Sequence, residues 1–420
     1  MTQFINAREA LVPEAIDGLL RGSAGRLARL DGFPHIKVVV RSDRDGAKVA
    51  LVSGGGSGHE PAHAGFVGQG MLTAAVCGEV FASPSADAVL AGILAVTGDA
   101  GCLLIVKNYT GDRLNFGLAA ERARALGRKV AMVVVDDDVA LPDIAQPRGV
   151  AGTLFVHKIA GALAEDGADL ETVAKAARRV IDDVVSIGMS LDTCTVPGSE
   201  KEARIARGKA ELGLGIHGEP GVEQVDFDGA RGAMEMVVDR LAPGLGSGAH
   251  VALLNNLGGA TPLEMSVLAE ELCKSRIGAR ISHLVGPAPL MTSLDMHGFS
   301  LSLLPVGSGQ LDALCAPAGP VAWPGCALVG APRVRPMPDG MTPPRYPASE
   351  DAGMRALITR ACTVLTAAEA DLNALDAKSG DGDTGSTVAT AAFLMLGPSP
   401  RPPLSPFTTL FRAIGAELSQ

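Results

Sequence analysis

Two histidines in glycine-rich surroundings are the residues of this sequence whose type and setting most readily suggest chemistry. His59 ends a run of glycine and serine, Ser53–His59, that follows the apolar segment Val49–Val52. His217 lies in Gly213–Gly221, among four glycines and a proline. A lone histidine is more often structural, but neutral imidazole is a nucleophile, and a rigid setting poor in side chains lets a substrate come close. His217 is therefore a candidate nucleophile.

The run around His59 matches none of the common phosphate or zinc motifs well. No Gly-Lys-Ser/Thr follows it, and His59 stands where the last glycine of GxGxxG would be. His59–His63 fits HExxH, but Pro61 and the preceding glycines argue against the continuous helix that a zinc protease needs. A plain tight connection is the remaining alternative, and its cost in backbone entropy disfavours it. We expect a ligand to approach the backbone here, at the carboxyl end of a strand.

A second polar stretch, Lys107–Asp112, follows the apolar run Cys102–Val106. It supplies a cation in Lys107, a donor and acceptor in Asn108, and a base in Asp112. Each of these residues alone is usually a solvated loop residue. Two such stretches at neighbouring strand ends favour one shared crevice.

Three carboxylates near the end of the sequence, Asp376, Asp381 and Asp383, lie on a glycine-rich turn. Carboxylates together with phosphate oxygens suit Mg²⁺, and the amides of the turn and the helix that follows could receive phosphates. An EF-hand does not fit, because Lys378 breaks its ligand order and no glutamate stands at the twelfth position. An acidic solvated turn is the remaining alternative.

The elements that must position these residues alternate between strands and helices, which predicts an α/β fold with largely parallel sheets. Predicted strands are Lys37–Val40, Val49–Val52, Cys102–Val106, Val130–Val135, His250–Leu254 and Phe299–Leu304. Predicted helices are Ala86–Val96, Asn115–Leu126, Thr153–Ala164, Leu170–Ile187, Ala230–Leu241, Pro262–Leu272 and Asp351–Leu375.

Composition narrows the class of protein further. The sequence has 420 residues and a formal charge of −10, with no basic tract, which argues against nucleic acid or anionic membranes as partners. We expect no signal peptide and no membrane span. Its seven cysteines are scattered and never in CxxC spacing, which favours a reduced, cytoplasmic setting.

The four stretches together resemble one family, the ATP-dependent dihydroxyacetone kinases, including triokinase. SGGGSGHEPAH, KNYTGD, GLGIHGEPG and the aspartate turn of the tail occur here in the family's order. Family-like phrases also occur at Thr193–Gly198, Asn255–Gly259 and Met291–Leu304. The resemblance covers residues 1–395.

The resemblance implies a role for each candidate residue. His217 would add to the substrate carbonyl to form a hemiaminal, Asp112 would take the proton from the attacking hydroxyl, and His59 would assist by hydrogen bonding. The pocket would be lined by Gly56, Ser57, Gly58 and Lys107. Mg²⁺ and ATP would be held by Asp376, Asp381 and Asp383, with Gly382, Thr384 and Gly385 at the nucleotide. The family also implies a homodimer.

We therefore predict two consecutive α/β domains, a linker and an all-α domain, at residues 1–188, 189–332, 333–350 and 351–420. The last is expected to be a truncated nucleotide domain, since the family's is much longer. The predicted activity is phosphorylation of dihydroxyacetone, with glyceraldehyde as a further candidate. The alternatives are a non-catalytic dihydroxyacetone-binding subunit or regulator, and a triokinase-like FAD-AMP lyase.

Overall fold

The computed structural model describes residues 3–44, 46–141, 146–246, 248–338, 351–396 and 407–418. The chain divides into two compact units, residues 1–330 and 331–420. Among the described residues, no helix combines the length and the hydrophobicity that a membrane crossing requires.

The first sheet of residues 1–330 has six strands in the order β1-β2-β4-β3-β5-β6. Its strands are β1 (Leu27–Arg29), β2 (Val38–Arg41), β3 (Ala50–Ser57), β4 (Ala74–Val80), β5 (Cys102–Lys107) and β6 (Val130–Val135). Strands β4, β3, β5 and β6 are parallel to one another. Strand β2 pairs antiparallel with both β1 and β4. The accompanying helices are α1 (Leu11–Gly22), α2 (Ala86–Val96), α3 (Thr110–Ala125), α4 (Thr153–Glu165) and α5 (Leu170–Asp183).

Helices cover both faces of this sheet, which explains the uninterrupted apolar sequence of β5. Leu103 and Ile105 belong to the core on the side of α4 and α5. Leu104 and Val106 belong to the core on the side of α2 and α3. Successive side chains of a strand point to opposite faces, so both sets must be apolar.

The second sheet has seven strands in the order β13-β11-β10-β12-β7-β8-β9. Its strands are β7 (Val185–Ser190), β8 (Lys209–Leu212), β9 (Glu223–Asp226), β10 (His250–Asn256), β11 (Ile281–Ala288), β12 (Gly298–Pro305) and β13 (Ala327–Leu328). Its helices are α6 (Ala230–Leu241), α7 (Pro262–Lys274) and α8 (Ser308–Cys315). Short 3₁₀ turns at Ala64–Phe66, Ala242–Gly244 and Gly278–Arg280 complete residues 1–330.

The α/β class is confirmed, but the second sheet is mostly antiparallel rather than largely parallel. Only β10 and β11 pair in parallel; β12, β7, β8, β9 and β13 all join antiparallel. For β8 and β9 the cause is local, because they are joined by the short turn-rich segment 213–222, which cannot hold the crossover that parallel strands need. The predicted domain boundary at residue 188 lies inside β7.

Residues 331–420 contain the described helices α9 (Ala352–Ala367), α10 (Glu369–Asp376), α11 (Thr384–Leu396) and α12 (Phe407–Leu418). The single helix predicted over Asp351–Leu375 is in fact two, because it breaks at Ala368. Gly385 allows α11 to approach α10 closely, since a Cβ there would lie 2.0 Å from the carbonyl oxygen of Glu369. Of the predicted linker 333–350, residues 339–350 lie outside the described residues.

Candidate functional site

The glycine run near His59 is the end of a strand and not a loop. Strand β3 continues to Ser57, whereas the sequence predicts that it ends at Val52. Gly54 pairs with Val76 of β4, and a Cβ on Gly54 would lie 2.1 Å from the carbonyl oxygen of Val76. The glycines thus allow a close parallel pairing that side chains would block.

Two further glycines of the run make room for Phe81, in the connection between β4 and α2. A Cβ on Gly56 would lie 2.7 Å from the backbone nitrogen of Ala82. Gly58 has a φ of +103°, and a Cβ there would lie 2.8 Å from Cε1 of Phe81. The hydroxyl of Ser57 donates to the carbonyl of Gly78 in β4 at 2.8 Å, which ties the ends of the two strands together. The backbone at the end of β3 is therefore locked next to an aromatic ring.

His59 follows this locked backbone and is fully buried. Its Nδ1 lies 2.8 Å from the carbonyl oxygen of Thr292, and its ring stacks on Phe81 with centroids 5.2 Å apart. A carbonyl oxygen only accepts, so Nδ1 carries the ring proton and Nε2 keeps its lone pair. Burial, and then the charges of Lys107 and His217, hold the pKa of His59 well below its ordinary value. His59 is thus a neutral ring whose Nε2 can accept a hydrogen bond.

The HExxH interpretation has no structural support. Residues 58–63 form turns, so His59 and His63 do not share a helix face. The Nδ1 of His59 is already held by the backbone of Thr292. A zinc protease site requires both histidines on one helix.

Lys107 and Asp112 face the glycine run from the neighbouring strand and helix. Lys107 ends β5, and Asp112 lies in the first turn of α3, which begins at Thr110 rather than at Asn115 as predicted. The Asn115 side chain donates instead to the carbonyl of Pro84, which explains why it caps no helix. A Cβ on Gly55 would lie 3.1 Å from Nζ of Lys107 and 3.5 Å from Oδ2 of Asp112.

Both of these charged groups are buried and free to meet a ligand. Lys107 is 1% exposed and Asp112 is 3% exposed. Among the described residues, neither Nζ of Lys107 nor Oδ1 of Asp112 has a hydrogen-bond partner. Burial lowers the pKa of Lys107, while the carboxylates of Asp112 and Glu219 act in the opposite direction.

His217 lies in the turn between β8 and β9, and Glu219 fixes its ring. Its Nδ1 is 3.0 Å from Oε1 of Glu219, and its backbone N–H donates to Oε2 at 2.9 Å. Burial raises the pKa of Glu219, but its hydrogen bonds, first that with the His217 ring, outweigh burial, and the pKa falls to about 2. Glu219 is therefore ionised near neutral pH and accepts from Nδ1–H. This arrangement leaves the lone pair of Nε2 available as a nucleophile.

The structure brings the two histidines and their aromatic neighbours together. The rings of His59 and His217 have centroids 4.8 Å apart. Tyr109 and Phe81 flank His217 at 4.6 and 5.2 Å between centroids. One site therefore combines residues that both sheets position: the imidazoles of His217 and His59, the ammonium of Lys107 and the carboxylate of Asp112.

Four contributors to this site carry no assigned role in the sequence analysis. Glu219 and Tyr109 stand inside stretches that the sequence singles out, and the two-residue spacing of His217 and Glu219 is a signal for the first. Thr292 stands inside the family-like phrase Met291–Leu304, without a role assigned to it, and Phe81 lies in a connection that no sequence pattern singles out.

The three aspartates of residues 331–420 lie together on the turn between α10 and α11. One carboxylate oxygen from each of Asp376, Asp381 and Asp383 lies within 4.8 Å of the others. Oδ2 of Asp376 accepts from the backbone N–H of Gly382 at 2.9 Å, and Gly382 has a φ of +81°. The pKa of Asp383 is raised, first by its hydrogen bond with Asp381 and then by repulsion from that carboxylate. Crowded carboxylates of this kind fit a hard divalent cation such as Mg²⁺.

The other predicted nucleotide residues flank this turn. Thr384 and Gly385 begin α11, and Gly382 precedes them. Thr384 also hydrogen-bonds the carboxylate of Asp376, which helps to lower the pKa of Asp376 after the larger effect of the Gly382 N–H.

Comparison with known proteins gives concordant matches. The Dak1 domain model matches residues 22–322. Dihydroxyacetone kinase of Citrobacter freundii is 47% identical over 99% of this chain and 76% of that protein. Triokinase/FMN cyclase of Mus musculus is 42% identical over 93% of this chain and 71% of that protein.

A solved structure matches as well. The crystal structure of the Citrobacter freundii dihydroxyacetone kinase in complex with AMP-PNP and Mg²⁺ matches with a TM-score of 0.80. That match has 47% identity and covers 100% of this chain and 79% of that chain.

Proposed function

The chain belongs to the dihydroxyacetone kinase family, and we propose from this premise that it phosphorylates dihydroxyacetone with ATP while the substrate is bound covalently to His217. The observation that carries the covalent step is the 3.0 Å contact between Nδ1 of His217 and Oε1 of Glu219. It fixes the ring tautomer in which Nε2 is free to attack.

In the first step, the lone pair of Nε2 of His217 forms a bond to the carbonyl carbon of dihydroxyacetone. The carbonyl π electrons move to the oxygen, which takes up a proton from water, and a hemiaminal results. The imidazole gains positive charge as the bond forms, and the anionic Glu219 stabilises that charge through Nδ1–H. Polyols such as glycerol have no carbonyl, so they are not captured.

Lys107 and His59 would hold the adduct from either side. The ammonium of Lys107 can donate to the oxygen on which negative charge develops. A buried cation stabilises such charge more strongly than an exposed one. His59, with its proton on Nδ1, can accept from a hydroxyl through Nε2. Gly56, Ser57 and Gly58 would provide close backbone contact around a three-carbon ligand.

Asp112 would act as the base in the transfer step. Its carboxylate would take the proton of the terminal hydroxyl as that oxygen attacks the γ-phosphorus of ATP, and ADP would leave. Positioning and charge neutralisation supply most of the rate in phosphoryl transfer. Asp376, Asp381 and Asp383 would hold Mg²⁺, which would neutralise phosphate charge, with Gly382, Thr384 and Gly385 at the phosphates.

The two alternatives are less well supported. A pure dihydroxyacetone-binding subunit has no need of the aspartate turn in residues 331–420. The lyase alternative finds support in the mouse relative, which is a triokinase/FMN cyclase, whereas the Citrobacter relative is a dihydroxyacetone kinase. We further propose that the chain works as a homodimer in the cytoplasm, as the family resemblance and the scattered free cysteines suggest.

The test of the proposal is Asp112→Asn. Loss of the base should lower formation of dihydroxyacetone phosphate by about two orders of magnitude or more, while capture of dihydroxyacetone stays intact. Product formed from ATP is measured directly, and bound substrate is measured in parallel. Asp87→Asn, on the exposed surface of α2, is the matched control. Equal product formation by Asp112→Asn and the parent protein would refute the assignment.

A further inference from the structure

Two cysteines that the proposed catalytic reaction does not use lie together at the end of the first unit. Cys315 is the last residue of α8, and Cys326 directly precedes β13. The Cys315 thiol donates to the carbonyl oxygen of Cys326 at 4.0 Å, and the two thiols also interact through their side chains. Cys315 is exposed and Cys326 is half-buried, and both are free.

A buried cation stands next to this pair. Lys158 of α4 is fully buried, and its Nζ donates to the carbonyl oxygen of Ala313 at 2.5 Å. Ala313 lies in the last turn of α8, so the ammonium lies at the carboxyl end of the helix on which Cys315 stands. The partial negative charge of a helix carboxyl end disfavours a thiolate, and a cation at the same place offsets that effect.

We propose that Cys315 and Cys326 are a peroxide-sensitive dithiol that closes to an intramolecular disulfide. The inference is independent of the proposed kinase reaction. Cys315 is the attacking thiolate because it is the exposed member of the pair, and the ammonium of Lys158 attracts its negative charge. Cys326 is the resolving thiol.

The chemistry balances with hydrogen peroxide as the oxidant. The Cys315 thiolate attacks one peroxide oxygen, the O–O bond breaks, and the sulfur becomes a sulfenic acid with release of one water. The sulfur of Cys326 then attacks the sulfenic sulfur, which forms the S–S bond and releases the second water. Two thiols are oxidised and one peroxide is reduced.

The burial of Cys326 and of Lys158 supports the roles of Cys315 as the attacking thiolate and Cys326 as the resolving thiol. Burial, and then the neighbouring Cys315, raises the pKa of Cys326 to about 12, which keeps it a thiol until Cys315 has reacted. Burial lowers the pKa of Lys158 to about 8, so Lys158 is still largely protonated near neutral pH.

The sequence allows a clean assay on the full chain. No lysine or arginine lies between Arg280 and Arg333, so both cysteines, and no other, are on one tryptic peptide, 281–333. The reduced protein is treated with graded hydrogen peroxide, alkylated with N-ethylmaleimide, digested and weighed. We expect the peptide to lose both labels and two hydrogen atoms, and to regain both labels when dithiothreitol precedes alkylation.

Four variants test the roles assigned to these residues. Cys315→Ser and Cys326→Ser should each abolish the two-hydrogen loss, whereas Cys273→Ser, which removes an exposed cysteine on α7, should leave it unchanged. Lys158→Met should slow closure about threefold for each unit by which the thiol pKa rises, since a smaller thiolate fraction is partly offset by higher nucleophilicity. Retention of both labels on peptide 281–333 at peroxide concentrations that oxidise Cys273 would overturn the proposal. Accumulation of Cys315 sulfinic acid without the two-hydrogen loss would overturn it equally.

Discussion

One neighbouring carboxylate, that of Glu219, orients the ring of the proposed nucleophile His217. His217 stands out in the sequence because it is surrounded by glycines, but the residue that sets its tautomer, Glu219, has no role in the sequence analysis. The reason is physical: both Nδ1 and the backbone N–H of His217 bind Glu219 only because the turn brings residues two apart face to face. Residue type predicts a nucleophile, and turn geometry supplies its activation.

Glu219→Gln tests this activation. Glutamine keeps one acceptor oxygen, so one of the two N–H groups of His217 loses its acceptor, and the negative charge that balances the cationic adduct is lost as well. A hydrogen bond to a charged group contributes about 1.5–3 kcal/mol, so we expect dihydroxyacetone affinity to fall by about 10- to 100-fold. Binding is measured by equilibrium titration without ATP.

The neighbouring Glu223→Gln variant is the control for this change, because Glu223 is an exposed residue of β9. It should bind dihydroxyacetone as the parent does. Unchanged affinity in Glu219→Gln would show that the ring of His217 does not depend on that charge.

At the scale of elements, the sequence predicts most helices and strands but misplaces the ends that carry the site. The segment Ala86–Val96 is a helix with the bounds expected, since its cap Ser85 and apolar face are local signals. The end of β3 is missed because glycines normally weaken strands, and here the partner strand requires them. The start of α3 is missed because the polar stretch that contains Asp112 follows a strand directly and is typical of a loop. The helix in fact begins within that stretch, at Thr110.

The packing of α4 on β3 also makes the free energy of unfolding depend on pH. His157 of α4 is fully buried, and its Nε2 lies 3.2 Å from the hydroxyl of Ser53 in β3. Burial, and then the charge of Lys107, lowers the pKa of His157 to about 3, against 6.5 for the free side chain. Between these values the unfolded chain binds the proton and the folded chain does not, so stability is lost as the pH falls below 6.5.

We therefore predict a flatter pH profile for His157→Gln. One proton corresponds to about 1.4 kcal/mol for each pH unit, so between pH 7 and pH 5 the variant should lose about 2 kcal/mol less unfolding free energy than the parent. Urea unfolding at both pH values measures the difference. His35→Gln, on an exposed side chain, is the control. An identical pH slope in His157→Gln and the parent would contradict a neutral buried histidine.

In the proposed reaction, different units of the chain capture the carbonyl compound and bind the phosphate donor. The residues proposed to capture the substrate lie in residues 1–330, where both sheets contribute, and the aspartate turn lies in residues 331–420. The family motifs in the sequence predict both halves. They do not predict the antiparallel second sheet, which depends on how β7, β8 and β9 pair.

Asp383→Asn tests this separation in the full chain. The loss of one carboxylate should weaken use of Mg²⁺ and ATP by about tenfold or more, as expected for a charged contact, while dihydroxyacetone affinity stays unchanged. The Mg²⁺ dependence of product formation and the binding of dihydroxyacetone are measured on the same sample. Asp371→Asn, an exposed change on α10, is the control. A parallel loss of dihydroxyacetone affinity in Asp383→Asn would argue against two separate tasks.

The central claim is the covalent bond between His217 and the substrate, and nuclear magnetic resonance tests it most directly. The full chain carrying nitrogen-15 histidine is mixed with dihydroxyacetone labelled with carbon-13 at C2. We predict a bound carbon signal in the tetrahedral range with a one-bond coupling to a histidine nitrogen, and its loss in His217→Gln. A bound ligand that keeps its carbonyl signal, or a coupling that persists in His217→Gln, would contradict the account.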